Sequence, residues 1–574
     1  MSDGRLPARR RWVGGVIGLL VVAALLATAW VVIRALGSAS ELQSVRSSTA
    51  QLRSALADGE LDRAERIAPR IAAHAALARD LTSDPVWRAF EFVPWLGANM
   101  TAMREVAEVT DAAADAAAGP IVLIADSVDP ATLGFTGSRI DLAPLPDVHA
   151  ALEGASIALH AAQTASMRID VDAALPPVAD AVREAKVLIR DVATTVGALH
   201  GAAGLLPGML GGEEPRNYLI ALQNNAEARS HGGAIVAFTL VRADNGVLAN
   251  PRTVSAQDLT VLDSPPLPLD DATTTLFGDS PGRSVRDATR IPDFPTAAEI
   301  VAQHWQQQYG DVVDGVVALD LVAAEHLVGA IGSLSFGEHT ADADTLVTRL
   351  ASEVSVTNPE PVGRDAALAQ AGGSLVSALL VGEDPAAVLG AVATASADDR
   401  IRVWSAHEEE QKHLETTGLS GRMPSDGERG THVSVLVNDT SGGVALDAHA
   451  HASISTAVGA CRGEPTTQVR VTWSNDVPAD LAATAQASGD LAAGQTRTLI
   501  SIVGPEGASV SVGDVAAELG TRPVAQYELV LSPGESSSVT ASFTGTGAGD
   551  RRTQLHHTPL LDAPEVAMAD LECG

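Results

Sequence analysis

The spacing of apolar positions changes several times along the chain, and each change announces a different kind of element. Over Trp12–Ile33 the residues run without a single charge. At a 1.5 Å rise per residue such a run is long enough for a hydrocarbon core of about 30 Å. From Glu41 to about Ala118, positions such as Leu52, Leu56, Leu61, Ala64, Ile67 and Ile71 recur at three- to five-residue spacings, which predicts helices with one apolar stripe. Similar patterns cover Val148–Thr164 and Val171–Leu199. "DPVWRAFEFVPWLGAN", Asp84–Asn99, breaks the first of these regions with prolines, a glycine and aromatics. Trp87, Phe90, Phe92 and Trp95 have two uses there: touching a membrane surface, or capping the helix packing, which is the favoured reading.

"GLLPGMLGGEEPRN", Gly204–Asn217, punctuates the chain. Beyond it the period switches to that of strands in "YLIAL" and "AIVAFTLVRADNGVLA". The Asp244-Asn245-Gly246 tripeptide in the latter is the strongest local hairpin signal. "PTAAEIVAQHWQQQYG" reads as helix, "VDGVVALDLV" as a buried strand, "AAEHLVGAIG" as helix again and "RIRVWSA" as strand. From Thr431 short β-type runs follow one another between glycine, asparagine and proline, with no long helical pattern.

The predicted architecture is multidomain α+β. A cytoplasmic tail (1–11) leads into a transmembrane signal anchor (12–33), followed by a helical membrane-proximal bundle or stalk (41–203). A central mixed α/β domain (217–430) precedes an antiparallel β-sandwich-like, immunoglobulin-like domain (431–548) and a C-terminal tail (549–574).

Arg5, Arg9, Arg10 and Arg11 stand before the apolar run and Arg34 after it, so the positive-inside rule keeps the short tail in the cytoplasm and exports the rest. The alternative is a cleavable signal peptide, with Ala27–Ala29 as the processing site; the run continues through Val31, Val32 and Ile33, longer than a usual signal core. With 38 basic against 71 acidic residues the formal charge is −33, which disfavours a nucleic-acid backbone as partner. Cys461 and Cys573 are the two cysteines. They suit an oxidising exterior and form a candidate disulfide, and no spacing suggests zinc.

The densest polar stretch is "QNNAEARSHGG", Gln223–Gly233. In the structural reading, Gly232 and Gly233 permit a tight reversal, Asn224 or Asn225 bonds locally to backbone, and Glu227 pairs with Arg229 to close the corner. In the functional reading, Asn224, Asn225 and Arg229 line a polar cleft, Glu227 orients the arginine, and His231 titrates near neutral pH. Arg283, Arg286 and Arg290 in "RSVRDATRIPDFP" either add a basic patch for a ligand or pair on the surface, while Asp293 caps the helix that follows. Asp258 and Asp293 are weak metal candidates. Asp314 and Asp320 border "GVVAL" at opposite ends of one strand, too far apart for an acid/base pair.

"NYLIALQNNAEARSHGGAIVAFTLVRADNG", "IPDFPTAAEIVAQHW", "VDGVVALDLVAAEHLVGAIG", "RIRVWSAHEEEQ" and "VSVLVNDTSG" together resemble the signature of the bacterial exported family known as domain of unknown function 4012. The chain departs from that pattern at "EARSHGG" and "NDTSGGVALDAHA", which lack a proline and a lysine with aromatics that are usual in the family. The resemblance implies a membrane-anchored extracytoplasmic protein of the cell envelope, associated with exopolysaccharide. Its expected role is as a binding or assembly factor, with a membrane, an envelope glycan, a lipid-linked glycan or an assembly protein as partner. A structural scaffold is one alternative. Another is a phosphotransferase or phosphohydrolase acting on lipid-linked glycans, somewhat like cell-wall glycopolymer phosphotransferases. In that reading the arginines bind pyrophosphate and Asp258 or Asp293 holds a divalent cation. No cofactor is otherwise expected, and no phosphate loop or zinc-protease motif is present.

Overall fold

The computed structural model describes residues 8–57, 60–127, 139–354, 361–381, 384–427, 430–442, 445–484, 489–510 and 515–573. Residues 1–7 of the expected cytoplasmic tail lie outside them. Contacts group the chain into two compact units, 1–133 with 141–207, and 134–140 with 208–574.

The first unit is helical: α1 (Ala8–Ala57), α2 (Leu61–Thr82), α3 (Pro85–Phe90), α4 (Gly97–Ser127), α5 (Leu145–Met167) and α6 (Pro176–Met209). Alanine-rich stripes make its core. Ala64, Ile67, Ile71 and Ala75 of α2 meet Val45 and Leu52 of α1, and Leu152, Ala155 and Leu159 of α5 pack with Val182 and Ile189 of α6. Within α1 a stretch beginning at Gly18 is long and apolar enough to cross a membrane. Its Leu19, Leu20, Leu25, Leu26 and Ile33 side chains are exposed, consistent with a single membrane-spanning segment.

The second unit opens with β1 (Arg216–Arg229), β2 (Gly232–Asp244) and β3 (Val247–Ser255). The β2–β3 turn places Asn245 and Gly246 at φ 48° and 79°, the left-handed pair that a two-residue hairpin requires. There follow α7 (Asp271–Phe277), α8 (Ser280–Arg283), α9 (Phe294–Tyr309), β4 (Gly315–Asp320), α10 (Leu321–Ile331), β5 (Leu334–Phe336), β6 (His339–Ala341), α11 (Ala343–Thr348), α12 (Pro361–Val381) and β7 (Ile401–Ser405). The main sheet has the order β3-β2-β1-β4-β7. Only β1 and β4 are parallel within it. β4 is almost continuously apolar because both faces are covered. α9 buries Trp305 against Phe238 and Val316 on one face, while α10 and α12 bring Leu327, Val328, Leu368 and Leu375 to Leu222, Val236 and Leu319 on the other.

The C-terminal strands are β8 (His432–Asp439), β9 (Ala450–Cys461), β10 (Glu464–Asn475), β11 (Thr496–Val503), β12 (Ala508–Val510), β13 (Val515–Leu519), β14 (Arg522–Leu531), β15 (Glu535–Gly545), β16 (Gln554–His557) and β17 (Glu565–Met568). They form two sheets, ordered β12-β15-β10-β9-β17 and β13-β14-β11-β8-β16. Alternating residues of both, among them Val435, Ile500, Tyr527, Val471, Trp473 and Phe543, share one core. The expected antiparallel pairing holds from β8 to β15 and gives way at two edge strands. β16 lies parallel to β8 and β17 parallel to β9, because the chain beyond Gly545 returns along one edge of each sheet. Cys461, at the end of β9, is disulfide-bonded to Cys573.

Candidate functional site

"QNNAEARSHGG" is mostly strand. β1 continues to Arg229, only Ser230 and His231 turn, and β2 begins at Gly232. Gly232 has φ 113°, and a Cβ on Gly233 would overlap the Asn224 carbonyl; both positions require glycine. The pairing of β1 with β2 slips between Asn224 and Ala228. Asn225, Ala226 and Glu227 therefore face no β2 partner, a bulge that re-aims their side chains.

Each re-aimed group ties a different segment. Asn225 donates from Nδ2 to Asp320 Oδ2 (2.8 Å) and to the Pro559 carbonyl (3.0 Å), and its Oδ1 accepts the Leu321 N–H (3.1 Å). Asn224 stays local, accepting from the Ala226 N–H at 3.1 Å. Ala228 packs into the core of the C-terminal sheets, and its N–H donates to Asp447 Oδ2 at 2.9 Å. The Ser230 N–H donates to Asn438 Oδ1 at 3.1 Å, and Thr558 Oγ1 donates to the Ser230 carbonyl at 3.3 Å. The corner is thus the seam where the main sheet meets the C-terminal sheets.

Four guanidinium groups surround it, each held by protein acceptors. Arg229 Nη2 lies 3.1 Å from Asp287 and 4.0 Å from Glu227, while its Nη1 donates to the carbonyls of Ala228 (2.9 Å) and Asp439 (3.0 Å). Arg286 Nη2 reaches Glu227 at 3.1 Å and its Nη1 pairs with Asp365. Arg364, on α12, approaches Glu227 at 3.3 Å. Arg290 donates to the Asp439 carbonyl at 2.9 Å and lies 3.4 Å from Asp287. The expected Glu227–Arg229 pair is therefore the loosest contact of either residue. The bulge turns Glu227 toward Arg286 and Arg364, and Arg229 toward Asp287 and Asp439.

Burial and charge act on these groups in opposite directions. Burial works to raise the Asp287 carboxyl, but Arg229 and Arg290 outweigh it and hold it below the usual range. Burial likewise works against the Arg229 cation, and Asp287, Asp439 and Glu227 reverse its effect. Arg290 drops to about 10 through burial and the neighbouring Arg229. Asp365 and Asp439 are raised chiefly by burial, and Asp447 is raised further still by burial and the nearby Asp439. Four arginines face the four acidic side chains of Glu227, Asp287, Asp365 and Asp439. An incoming anion would have to displace one of them.

The remaining sequence candidates lie elsewhere. Arg283 donates to the Leu262 carbonyl (2.8 Å) and Asp279 (3.0 Å), away from the cluster. Asp258 is exposed in the turn Ala256–Asp258. Asp293 caps α9, accepting from the Thr296 N–H at 3.4 Å and its hydroxyl at 2.9 Å. Among the described residues no group of three or more His, Cys, Asp or Glu is arranged for a metal. Burial, with Arg402 second, lowers His231 to about 3, so it stays neutral instead of titrating near pH 7. Asp314 and Asp320 do flank β4; Asp320 caps α10 through the Ala323 N–H (2.8 Å) and binds Arg400 at 2.9 Å.

Sequence reasoning missed Arg364, Asp365, Gln257, Arg400, Asp439 and Asp447. Gln257 donates to Asp365 at 2.9 Å. The one local signal was the Arg364-Asp365 pair inside an otherwise apolar, alanine-rich helix.

A family model described as "Protein of unknown function (DUF4012)" matches residues 213–354, which include the corner and the main sheet through α11. The central region of the chain is similar to that family. No curated protein matches. Among solved structures, one similar chain is titled as the transcriptional regulator yvhJ from Bacillus subtilis. It is 10% identical over 35% of this chain and 76% of that one, with a TM-score of 0.21, too loose a superposition to carry a conclusion.

Proposed function

We propose that the protein is a non-catalytic binding or assembly factor of the cell envelope, held by α1 with a short cytoplasmic N-terminus and its two units outside. The observation that carries the non-catalytic reading is the internal pairing of Arg229, Arg286, Arg290 and Arg364. These cations hold carboxylates of the same chain in place, as a structural seam does. Charges buried this way are costly unless fully paired, and removing any one partner leaves another stranded. The polysaccharide connection comes from the family resemblance alone.

One observation favours the second reading, action on a lipid-linked glycan phosphate. α12 carries Arg364 and Asp365 near its start, and its Gly372, Leu375 and Val376 line a narrow apolar cavity with Ile220, Leu222 and Leu319. An anionic head beside an apolar slot suits an amphiphile, although at about 10 Å³ the slot holds no more than a water, and a lipid chain would require α12 to move.

The test is to incubate the full chain in nanodiscs with envelope extract, with and without magnesium, and to identify retained molecules by mass spectrometry. Retention of a glycan or lipid in unchanged form, independent of magnesium, supports the binding factor. Release of phosphate or transfer of a glycan overturns it in favour of the enzyme.

A further inference from the structure

The aromatic insert between α2 and α4 divides its residues sharply. Trp87 is fully buried, donates from Nε1 to the Met100 carbonyl at 3.0 Å and packs with Val31 of α1; Phe90 and Ala35 join the same cluster. Phe92 and Trp95 are 89% and 95% exposed, with Val93 and Leu96 exposed beside them. Capping of the helix packing, the expected use of all four aromatics, accounts for Trp87 and Phe90 only.

The exposed pair belongs to a built turn. The Val93 N–H donates to the Phe90 carbonyl (3.0 Å) and the Gly97 N–H to the Val93 carbonyl (2.8 Å). A Cβ at Gly97 would overlap the Glu91 carbonyl. Trp95 sits at φ 69°, a conformation bulky residues rarely adopt. Hydrogen bonds thus hold the indole outward.

The turn also has a fixed height along α1. Arg34, the first charge after the apolar run, donates from Nε to the Leu81 carbonyl (2.9 Å) and pairs with Asp84 (2.7 Å), the N-cap of α3. The insert therefore lies beside residues 31–35, at the end of the apolar stretch. Trp30 lies there too, half exposed under the Arg34 guanidinium at 5.2 Å, and so do the exposed Ile33 and Leu36.

We propose that Phe92–Leu96 is a second membrane contact, entering the interfacial layer of the bilayer that α1 spans, on the Arg34 side. Tryptophan suits that layer because its ring is apolar and its N–H polar. Glu91 is bound by Arg104 at 2.7 Å and Arg88 is the one basic residue of the insert, so apolar burial and not anionic-lipid attraction drives the contact. Two attachments fix the rotation of the helical unit about α1. The proposal rests on α1 being the anchor.

The test uses the full chain in phosphatidylcholine nanodiscs. Both native cysteines are in the disulfide, so a spin label can be placed on Pro94→Cys, which keeps both aromatics, with Leu25→Cys and Ile157→Cys as anchor and exposed references. Relative access of oxygen and a water-soluble nickel complex reports depth. The expected result is a label at 94 that favours oxygen several-fold over the label at 157, unchanged by anionic lipid, and that moves toward water when Phe92→Ser and Trp95→Ser are added. A label at 94 as open to nickel as that at 157, with 25 in the bilayer, overturns this proposal and leaves the anchor standing. A label at 25 in water overturns both. Equal shielding of 94 from both reagents without lipid identifies a protein contact and overturns the membrane contact.

Discussion

Arg286 Nη2 sits 3.1 Å from Glu227 Oε2, joining the bulge of β1 to the segment just before α9. Glu227 also receives Arg364 at 3.3 Å and is almost wholly buried. Replacing Glu227 by Gln should remove the negative charge that Arg286 and Arg364 share, leaving Asp365 to both, and cost about 3–5 kcal/mol, the usual penalty for breaking a buried pair. Urea denaturation with hydrogen exchange on β1 and α12 measures it. Adding Arg286→Met and Asp365→Asn together to Glu227→Gln should recover part of the loss; no recovery would show that the pair is not the source.

His231 makes acid stability measurable at one residue. Its folded pKa, about 3, lies below the ordinary 6.5. The unfolded chain therefore takes up a proton below pH 6.5 that the folded chain refuses, and stability falls as the pH drops toward 3. The slope from one such group is at most about 1.4 kcal/mol per pH unit. Denaturation of His231→Gln and the parent chain between pH 7 and 4.5 should show the parent losing stability more steeply. Parallel curves would place a protonated histidine in the fold.

Asp447 has the opposite sign. Its folded pKa is raised by burial and by Asp439, so its stabilising effect is complete below the unfolded value and is lost as the pH rises through the folded one. Asp447→Asn keeps an acceptor for the Ala228 N–H, which lies 2.9 Å away. It should raise the melting temperature at pH 7.5 and change it little at pH 4. A lower melting temperature at pH 7.5 would indicate that the carboxylate is ionised and needed.

The Cys461–Cys573 bond closes a loop with a sequence separation of 112, and long loops gain about 2–5 kcal/mol from such a link. Cys461→Ser should loosen β17, whose four residues pair only with β9 among the described residues, before it disturbs the shared core. Hydrogen exchange confined to residues near 565–573 is expected; general exchange across β8–β15 would assign the bond a wider role.

Local chemistry made several elements legible. The Asn245-Gly246 turn, the apolar β4 and the Asp293 cap each depend on neighbours within a few residues. The corner's glycines were also readable, because Gly232 takes a positive φ in the turn and Gly233 packs on the backbone of Asn224 and Asn225. Its electrostatics were not. Asp439 and Asp447 come from segments more than 200 residues away, and their burial is set by packing between sheets. β16 and β17 escaped notice because four-residue strands at sheet edges leave no periodic pattern. Phe92 and Trp95 looked like Trp87 in sequence, and only the turn that projects them separates their roles.

The central claim is that the arginines around "QNNAEARSHGG" hold the protein together instead of receiving a ligand. Isothermal titration of the full chain in nanodiscs with geranylgeranyl pyrophosphate and magnesium tests it, with nanodiscs alone as the blank. No saturable heat above the blank and no rise in melting temperature are expected. Saturable binding that Arg286→Ala abolishes in a folded protein would contradict it.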